Sequence, residues 1–475
     1  MAEKTFKHPP FIIMLGLLIG GFVGLYGESA LNIALSHFMT DFSLEATTAQ
    51  WLTTGYLLVV GVVLPTSSLL VRWFTTRQLA FFSFMCFLVG ALLSGTASTF
   101  SILMAGRLIQ GIATGILLPL LFSTALAIYP QEKRGAAMGM IGLVVMFAPA
   151  LGPTLAGFIL EYLSWNWIFF LMIPVVLAAA VVSFFFLENV QDITRPPVDV
   201  ASIVLSTLGF GLLVFGVSEG GERGWGSIPV LASLILGIAS LAVFCRRQFS
   251  LDEPFLDVQC FRSKEFSRGA ALVALDNAIL MAAVLVIPLF LQKSLLIPTV
   301  LAGLLMLPGG IVNGLVSTVA GNLFDKRGAR MVVRTGFIAS LVAALLLMQV
   351  SVETSLLLVV VGHIILMVGA PLAMSPSQTY ALNALPSTLN SDGTTILSTL
   401  QQIAGALGTA LVTSAMSWGE SASVQAGITA ETANIATGSQ YGFALVALIA
   451  ALGLIASFGL KKKSECQGAD VSAEA

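Results

Sequence analysis

Apolar runs of about twenty residues, broken by short polar loops, recur from residue 11 to residue 460. At a rise of about 1.5 Å per residue, a helix of that length crosses the ~30 Å hydrocarbon core of a bilayer. The pattern predicts fourteen spans: 11–35, 50–71, 79–98, 102–128, 136–160, 166–187, 201–218, 229–245, 269–291, 299–323, 331–350, 356–380, 391–416 and 440–460. The first run follows Lys4 and Lys7, as the apolar part of a secretory leader would. It is too long for that, and no small-residue cleavage site follows, so it reads as the first membrane helix.

Charge orients the spans. Let alternate loops face the cytoplasm, beginning with the N-terminus. Of the 22 Lys and Arg, only Arg223 and Lys293 then fall outside, Arg107 lies within a helix, and the other nineteen fall inside. This positive-inside bias favours an even helix count with both termini cytoplasmic. The expected division is a six-helix half over 1–190, two additional helices over 191–245, a cytoplasmic linker over 246–268, a second six-helix half over 269–460 and a polar tail over 461–475. The linker mixes charges with Phe249, Phe255, Phe261 and Phe266, which suits a segment lying along the membrane surface. Trp418–Ser439 is polar and rich in small residues, and reads as a mobile outer loop.

Composition removes other classes. The 475 residues are 57% hydrophobic and 10% charged, with a mean hydropathy of +0.96. A soluble protein of this length cannot hide so much apolar surface. The net charge of −2 is uninformative beside its distribution. Cys86, Cys245, Cys260 and Cys466 form no CxxC pair, and three of them lie in or beside inside segments, so reduced thiols are expected. There is no GxxxxGK[ST] phosphate loop and no clustered set of metal ligands. Nothing points to an enzyme, a cofactor or a nucleic-acid partner.

The informative residues are polar ones inside apolar runs. Glu28 is the carboxylate of the first span, and ionisable groups in hydrocarbon usually face a cavity or a partner. Gly16, Gly20, Gly24, Glu28 and Asn32 recur every four residues, so they share one slowly drifting helix face. The glycines let another helix approach closely. Glu28 then reads as a proton-binding carboxylate in a transport cavity, or as a structural acid paired with an arginine. Arg107 would lie roughly 8 Å into helix 4 and Glu28 roughly 10 Å into helix 1 from the same side. The two are expected to interact, with proton or substrate binding altering that coupling. Asp276 in helix 9 is a second buried acid, either a cavity group or, with Asn277, a contact between helices. His363 reads as a packed or hydrogen-bonded helix residue rather than a relay. Asn32, Tyr56, Gln110, Tyr380 and Gln401 are placed to line a cavity.

Several motifs in order then resemble a known family. Arg107–Gly111 matches an RxxQG motif; Ala148–Gly157 (APALGPTLAG) resembles the antiporter motif; Trp165–Phe169 (WNWIF) resembles a WRWIF signature, with Asn166 in place of arginine. DEPFLDVQCF (252–261), IPLFLQ (287–292), AGLLMLPGG (302–310) and QQIAGALGTA (401–410) continue the match. Together they resemble the major facilitator superfamily, in its fourteen-helix drug:proton antiporter branch of multidrug efflux permeases.

That resemblance implies an all-α polytopic fold of two six-helix halves plus two central helices, in a monomer embedded in the cell membrane. It implies alternating access that exchanges lipophilic or amphipathic drugs for protons, driven by the proton gradient without a cofactor. Proton coupling is expected of Glu28, Arg107 and Asp276 on the strength of their depth in apolar runs. Pro149, Gly152, Pro153 and Gly157 would bend and pack helix 5 against ion leak, although any bundle needs such packing. GNLFDKRGAR (321–330) resembles a GxLxDRxGRR gate, with Gly321 and Gly328 as turn glycines, Asp325 on a helix N-terminus or an arginine, and Arg330 completing it. The matching N-terminal loop departs: Arg72 stands near the expected aspartate, leaving a latch there in doubt. Helix 1 departs too, with Gly27 at the branch's acid position and Glu28 one residue on, about 100° around the axis. A narrow exporter of one metabolite or lipid, and a non-transporting membrane receptor, are the alternatives.

Overall fold

The computed structural model describes residues 7–44, 46–130, 133–190, 193–195, 199–251, 254 and 256–461. Its helices are α1 (Pro10–Asp41), α2 (Ala46–Trp73), α3 (Thr76–Gly95), α4 (Phe100–Ile128), α5 (Arg134–Tyr162), α6 (Asn166–Phe170), α7 (Met172–Phe186), α8 (Val200–Arg223), α9 (Ile228–Gln248), α10 (Lys264–Leu289), α11 (Thr299–Arg327), α12 (Ala329–Leu347), α13 (Leu356–Asn383), α14 (Asn390–Gln425) and α15 (Glu431–Ser457). With α6 and α7 joined as one, they make fourteen spans among the described residues, and no strand is found there. The even count returns residue 461 to the side of residue 7. That side is called the terminal face below, and the other the distal face.

Helices are what this composition must form, because hydrocarbon offers backbone N–H and C=O groups no partner outside the segment. Hydroxyls close several helix starts: Thr75 accepts from Gln78 N within a capping box, Ser263 from Phe266 N and Ser355 from Leu358 N. Large apolar side chains stay exposed around the bundle, Ile228, Leu231, Ile235 and Leu236 of α9 among them. Buried ones fall into two main clusters, one built mostly by α1–α7 and the other by α10–α15.

The clusters meet along two seams, α2 against α14 and α5 against α11 and α13. The second is close because its helices are bare where they touch. A Cβ on Gly321 would lie 2.0 Å from the Gly135 carbonyl oxygen. Gly321 is therefore a contact glycine inside α11 and not the turn residue expected. Gly328, at φ 77°, does make the turn into α12.

The additional pair, α8 and α9, pack on each other, and α8 also touches α2 and α14. It lies along the first seam. Trp51 meets Phe215 at 5.9 Å between ring centroids, and Trp225 Nε1 donates to Ser414 Oγ (2.7 Å). Asp199, just before α8, takes both Arg247 Nε (2.7 Å) and Nη2 (3.0 Å) from the end of α9. Those hydrogen bonds hold the Asp199 carboxyl down at about 2. The linker is tied back as well: Gln248 donates to Ser202 Oγ (2.6 Å) and accepts from Leu256 N (3.2 Å). Phe249 and Phe261 are exposed, Phe266 is buried in the core, and Phe255 lies outside the described residues.

One expected loop is mostly helix. Residues 418–425 belong to α14 and 431–439 to α15, leaving 426–430 between them. The small residues that read as a loop instead let the two helices continue in contact: a Cβ on Gly419 would lie 2.9 Å from Gly438 Cα, and Ser423 Oγ donates to Asn434 Oδ1 (2.7 Å).

Gly321→Ala is expected to lower stability by about 1–3 kcal/mol, as overpacking does, because backbone meets its new methyl. Gly314→Ala on the same helix, where the nearest atom is 3.6 Å away, should be neutral or stabilising. Thermal unfolding of the detergent-purified protein distinguishes them; equal effects would refute the backbone-contact account.

Candidate functional site

The glycine face of α1 carries the first polar cluster. A Cβ on Gly20 would meet Leu117 and Phe84, and one on Gly24 would meet Thr114 and Phe87, so α3 and α4 close onto α1 there. The Tyr56 hydroxyl donates to the Gly24 carbonyl (3.1 Å) and lies 2.7 Å from Thr114 Oγ1, joining α1, α2 and α4. Arg107 is 1% exposed. Its guanidinium carbon stands 4.1 Å from the Tyr56 ring centroid, and its Nη1 donates to Gln110 Oε1 (2.8 Å). An arginine keeps its charge, so the ring face and the amide oxygen share it. Nε and Nη2 have no partner.

Glu28 is a neighbour of Arg107 and interacts with it electrostatically, without a hydrogen bond between them. One carboxylate oxygen, Oε2, is buried and unpartnered. The neighbouring Gly27 also faces this group: a Cβ there would lie 2.9 Å from Met172 Cε and 3.7 Å from Arg107 Nη1. The Asn32 side chain lies outside the described residues.

Asp276 forms the second centre. It is fully buried in α10, and neither carboxylate oxygen has a partner. The structural contact goes to its neighbour: Asn277 Nδ2 donates to the Gln401 carbonyl of α14 (2.7 Å). Asp276 itself is left as a buried acid that can take a proton or a transient partner. His363 is buried and donates to the Met306 carbonyl, its ring filling the space a Cβ on Gly309 would enter at 2.3 Å. This is the packed, hydrogen-bonded role expected of it.

At the terminal face, contacts bridge both seams. Asp325, near the end of α11, accepts from Gly135 N (3.1 Å) and Ala136 N (3.0 Å) in the first turn of α5, where a helix favours an anion. Arg134 Nη1 donates to Asn383 Oδ1 (3.2 Å) of α13. Across the other seam, Arg72 at the end of α2 forms an ion pair with Asp392 in the first turn of α14. Ser68 also hydrogen-bonds Asp392. Arg72 Nη1 donates to the Pro254 carbonyl of the linker (3.4 Å), and the Arg72 carbonyl accepts from Thr194 N (3.1 Å) and Arg195 N (3.2 Å). The doubt over the N-terminal loop is answered in contacts: the carboxylate stands on the other helix. Asp392 was missed by sequence reasoning, its one signal being a lone acid opening an apolar run.

Other expected residues are dispersed. The Tyr380 hydroxyl accepts from Lys461 N (3.4 Å) at the terminal face, away from Tyr56 and Gln110. Arg330 Nε is buried without a partner. In the antiporter motif, a Cβ on Gly152 would meet Ser29 Oγ at 1.9 Å, bringing α1 onto α5, while Gly157 faces Val300 at 3.9 Å. Pro149 is half-buried in α5, and the Pro153 side chain lies outside the described residues. Asn166 Nδ2 donates to the Gly95 carbonyl (2.8 Å) and Trp165 Nε1 to Asp41 Oδ2 (2.6 Å), fixing the α6 corner.

Known proteins share this plan. The chain is 44% identical over 460 residues to lincomycin resistance protein LmrB of Listeria monocytogenes, spanning 96% of this chain and 98% of that one. It is 42% identical to LmrB of Bacillus subtilis, spanning 97% of each, and 28% identical to the multidrug export protein EmrB of Haemophilus influenzae, spanning 87% and 83%. Among solved structures, the human organic anion transporter MFSD10 superposes with a TM-score of 0.67 at 12% identity, over 95% of this chain and all of that one. The proton:xylose symporter XylE does so with a TM-score of 0.64 at 13%, over 95% and 96%. Those two likenesses concern the fold alone. The description Major Facilitator Superfamily matches residues 17–409, and the chain belongs to that superfamily of multi-pass membrane transporters.

Proposed function

We propose that the chain exports lipophilic or amphipathic drugs across the cytoplasmic membrane in exchange for protons, by alternating access. The observation that carries this reading is two interior carboxylates, half-buried Glu28 in the first half and fully buried Asp276 in the second, with one and two unpartnered oxygens respectively. Such groups are too costly to keep in hydrocarbon without a use. The names of the relatives, lincomycin resistance and multidrug export, support an antibiotic-like cargo. The concentration of Lys and Arg at the terminal face supports placing it in the cytoplasm.

In this reading the cytoplasmic side is held shut by two latches of opposite chemistry. Asp325 holds the α5 N-terminus across one seam. Arg72 and Asp392 hold the other, with charges exchanged between the helices. Opening inward parts both. Substrate then enters, and proton release from Glu28 and Asp276 is linked to its binding. Return of protons from outside resets the cycle, each charge drawing roughly 2.3 kcal/mol per 100 mV. Arg107, held by Tyr56 and Gln110, keeps a fixed positive field beside Glu28.

Ethidium uptake into inside-out vesicles under an imposed pH gradient tests coupling. Asp276→Asn and Glu28→Gln keep size and cannot titrate. Each is expected to cut gradient-driven uptake at least about tenfold, ~1.4 kcal/mol of coupling, with dye binding retained. Full activity in both variants sinks the proposal.

The latch has its own test. Arg72→Asp or Asp392→Arg alone removes a pair worth between about 0–1 kcal/mol for an exposed bridge and about 3–5 kcal/mol for a buried one. Each should expose the cytoplasmic seam to a membrane-impermeant maleimide at Cys260, the other cysteines being replaced by serine. Cys260 is buried beside this pair, and burial, with Asp392 and Asp257 adding to it, pushes its thiol well up. The double exchange should restore protection. Labelling that is the same in all four proteins rules the latch out.

A further inference from the structure

Between the Arg72–Asp392 pair and Asp276 lies a closed cleft, too tight in this state to hold a water molecule, that neither latch nor carboxylate uses. Phe122 of α4, Gln378 of α13, and Thr394, Ser398 and Gln401 of α14 line it, together with two leucines. It therefore straddles the α4, α13 and α14 contacts between the two apolar clusters. Counted at about 1.5 Å per residue from Asp392, Ser398 is roughly 9 Å and Gln401 roughly 13 Å further into the membrane. A substrate entering from the cytoplasm passes here before it reaches the level of Asp276.

The polar groups in this cleft are not spent on the fold. Ser398 is 5% exposed and its hydroxyl has no partner; the Gln401 amide nitrogen is buried and has none either. Gln378 is 4% exposed. Thr394 is different, since its hydroxyl is bound to the Ser391 carbonyl (2.8 Å). Buried donors left unmade are expensive, so an arrangement of this kind is matched to something that supplies acceptors. None of the lining side chains is charged; the nearby Asp392 is paired with Arg72 and Ser68 through one oxygen and keeps Oδ1 unpartnered. The lining itself therefore offers neutral amide and hydroxyl groups.

We propose that Gln378, Ser398 and Gln401 form a neutral amide and hydroxyl subsite that receives an uncharged, oxygen-rich part of the substrate, its hydroxyls or an amide, against the Phe122 ring. The inference rests on the export reading above and names the chemistry of the cargo. Gln401 also joins this subsite to the proton site. Its backbone carbonyl is held by Asn277, the residue next to Asp276. A substrate that shifts α14 at Gln401 therefore moves the segment carrying that acid. A subsite built this way discriminates against a cargo without acceptors, because its own donors would stay unpaired.

The test compares two probes in energised inside-out vesicles: lincomycin, which carries sugar hydroxyls and an amide, and ethidium, a flat cation without them. Gln401→Leu and Ser398→Ala are expected to raise the KM for lincomycin about tenfold, ~1.4 kcal/mol, and to leave the KM for ethidium within about twofold. Ser398→Thr, which keeps the hydroxyl, should transport lincomycin like the wild type. If both probes suffer equally, the residues serve helix packing and the subsite is wrong. It is equally wrong if lincomycin transport is unchanged in both variants, or if the wild type moves ethidium and not lincomycin. A wild type that moves neither probe refutes the export reading itself.

Discussion

Hydrocarbon has no water to satisfy a polar group, and most of this structure follows from that constraint. It forces the chain into helices that close their own hydrogen bonds. It also makes each interior charge conspicuous. Arg107 is met by a ring face and an amide oxygen, with Nε and Nη2 left unpartnered. Asp392 is met by Arg72 and Ser68 on one side, with Oδ1 left unpartnered. Glu28 likewise keeps one unpartnered oxygen, and Asp276 keeps two. Arg107 stays charged in every state.

The seams show a second consequence. The two clusters approach each other closely along both seams. Along α5 and α11 this is achieved with bare backbone, Gly135 against Gly321, closed by Asp325 on two N–H groups. Along α2 and α14 an ion pair takes that place, and the segments on either side of the additional helices both attach to its arginine. With α8 laid over this seam and Trp225 holding Ser414 beyond it, the two seams are unequal. The additional pair braces one of them.

Glu28 and Gly27 sit side by side at the same cluster. Gly27 lies close to both Met172 and Arg107, while Glu28 keeps one carboxylate oxygen unpartnered beside the guanidinium.

The fold was legible in the sequence because its signal is one-dimensional. Length and apolarity alone mark a span, and Lys and Arg in the loops mark a side, so fourteen spans could be placed before any contact was known. Gly328 as a turn, His363 as a packed residue and Asp325 on a helix N-terminus were also within reach, since each depends on local or motif chemistry. Tertiary structure alone decided the rest. Arg72 and Asp392 are 320 residues apart, and neither carries a local mark of the other. Gly321 reads as a turn until α5 is seen against it. Residues 418–439 read as a loop because small side chains look the same in a flexible segment and in a close helix pair. Tyr380 leaves its expected group for the same reason. Which polar residues meet is set by how helices pair and rotate, and a pattern of apolar runs contains no term for either.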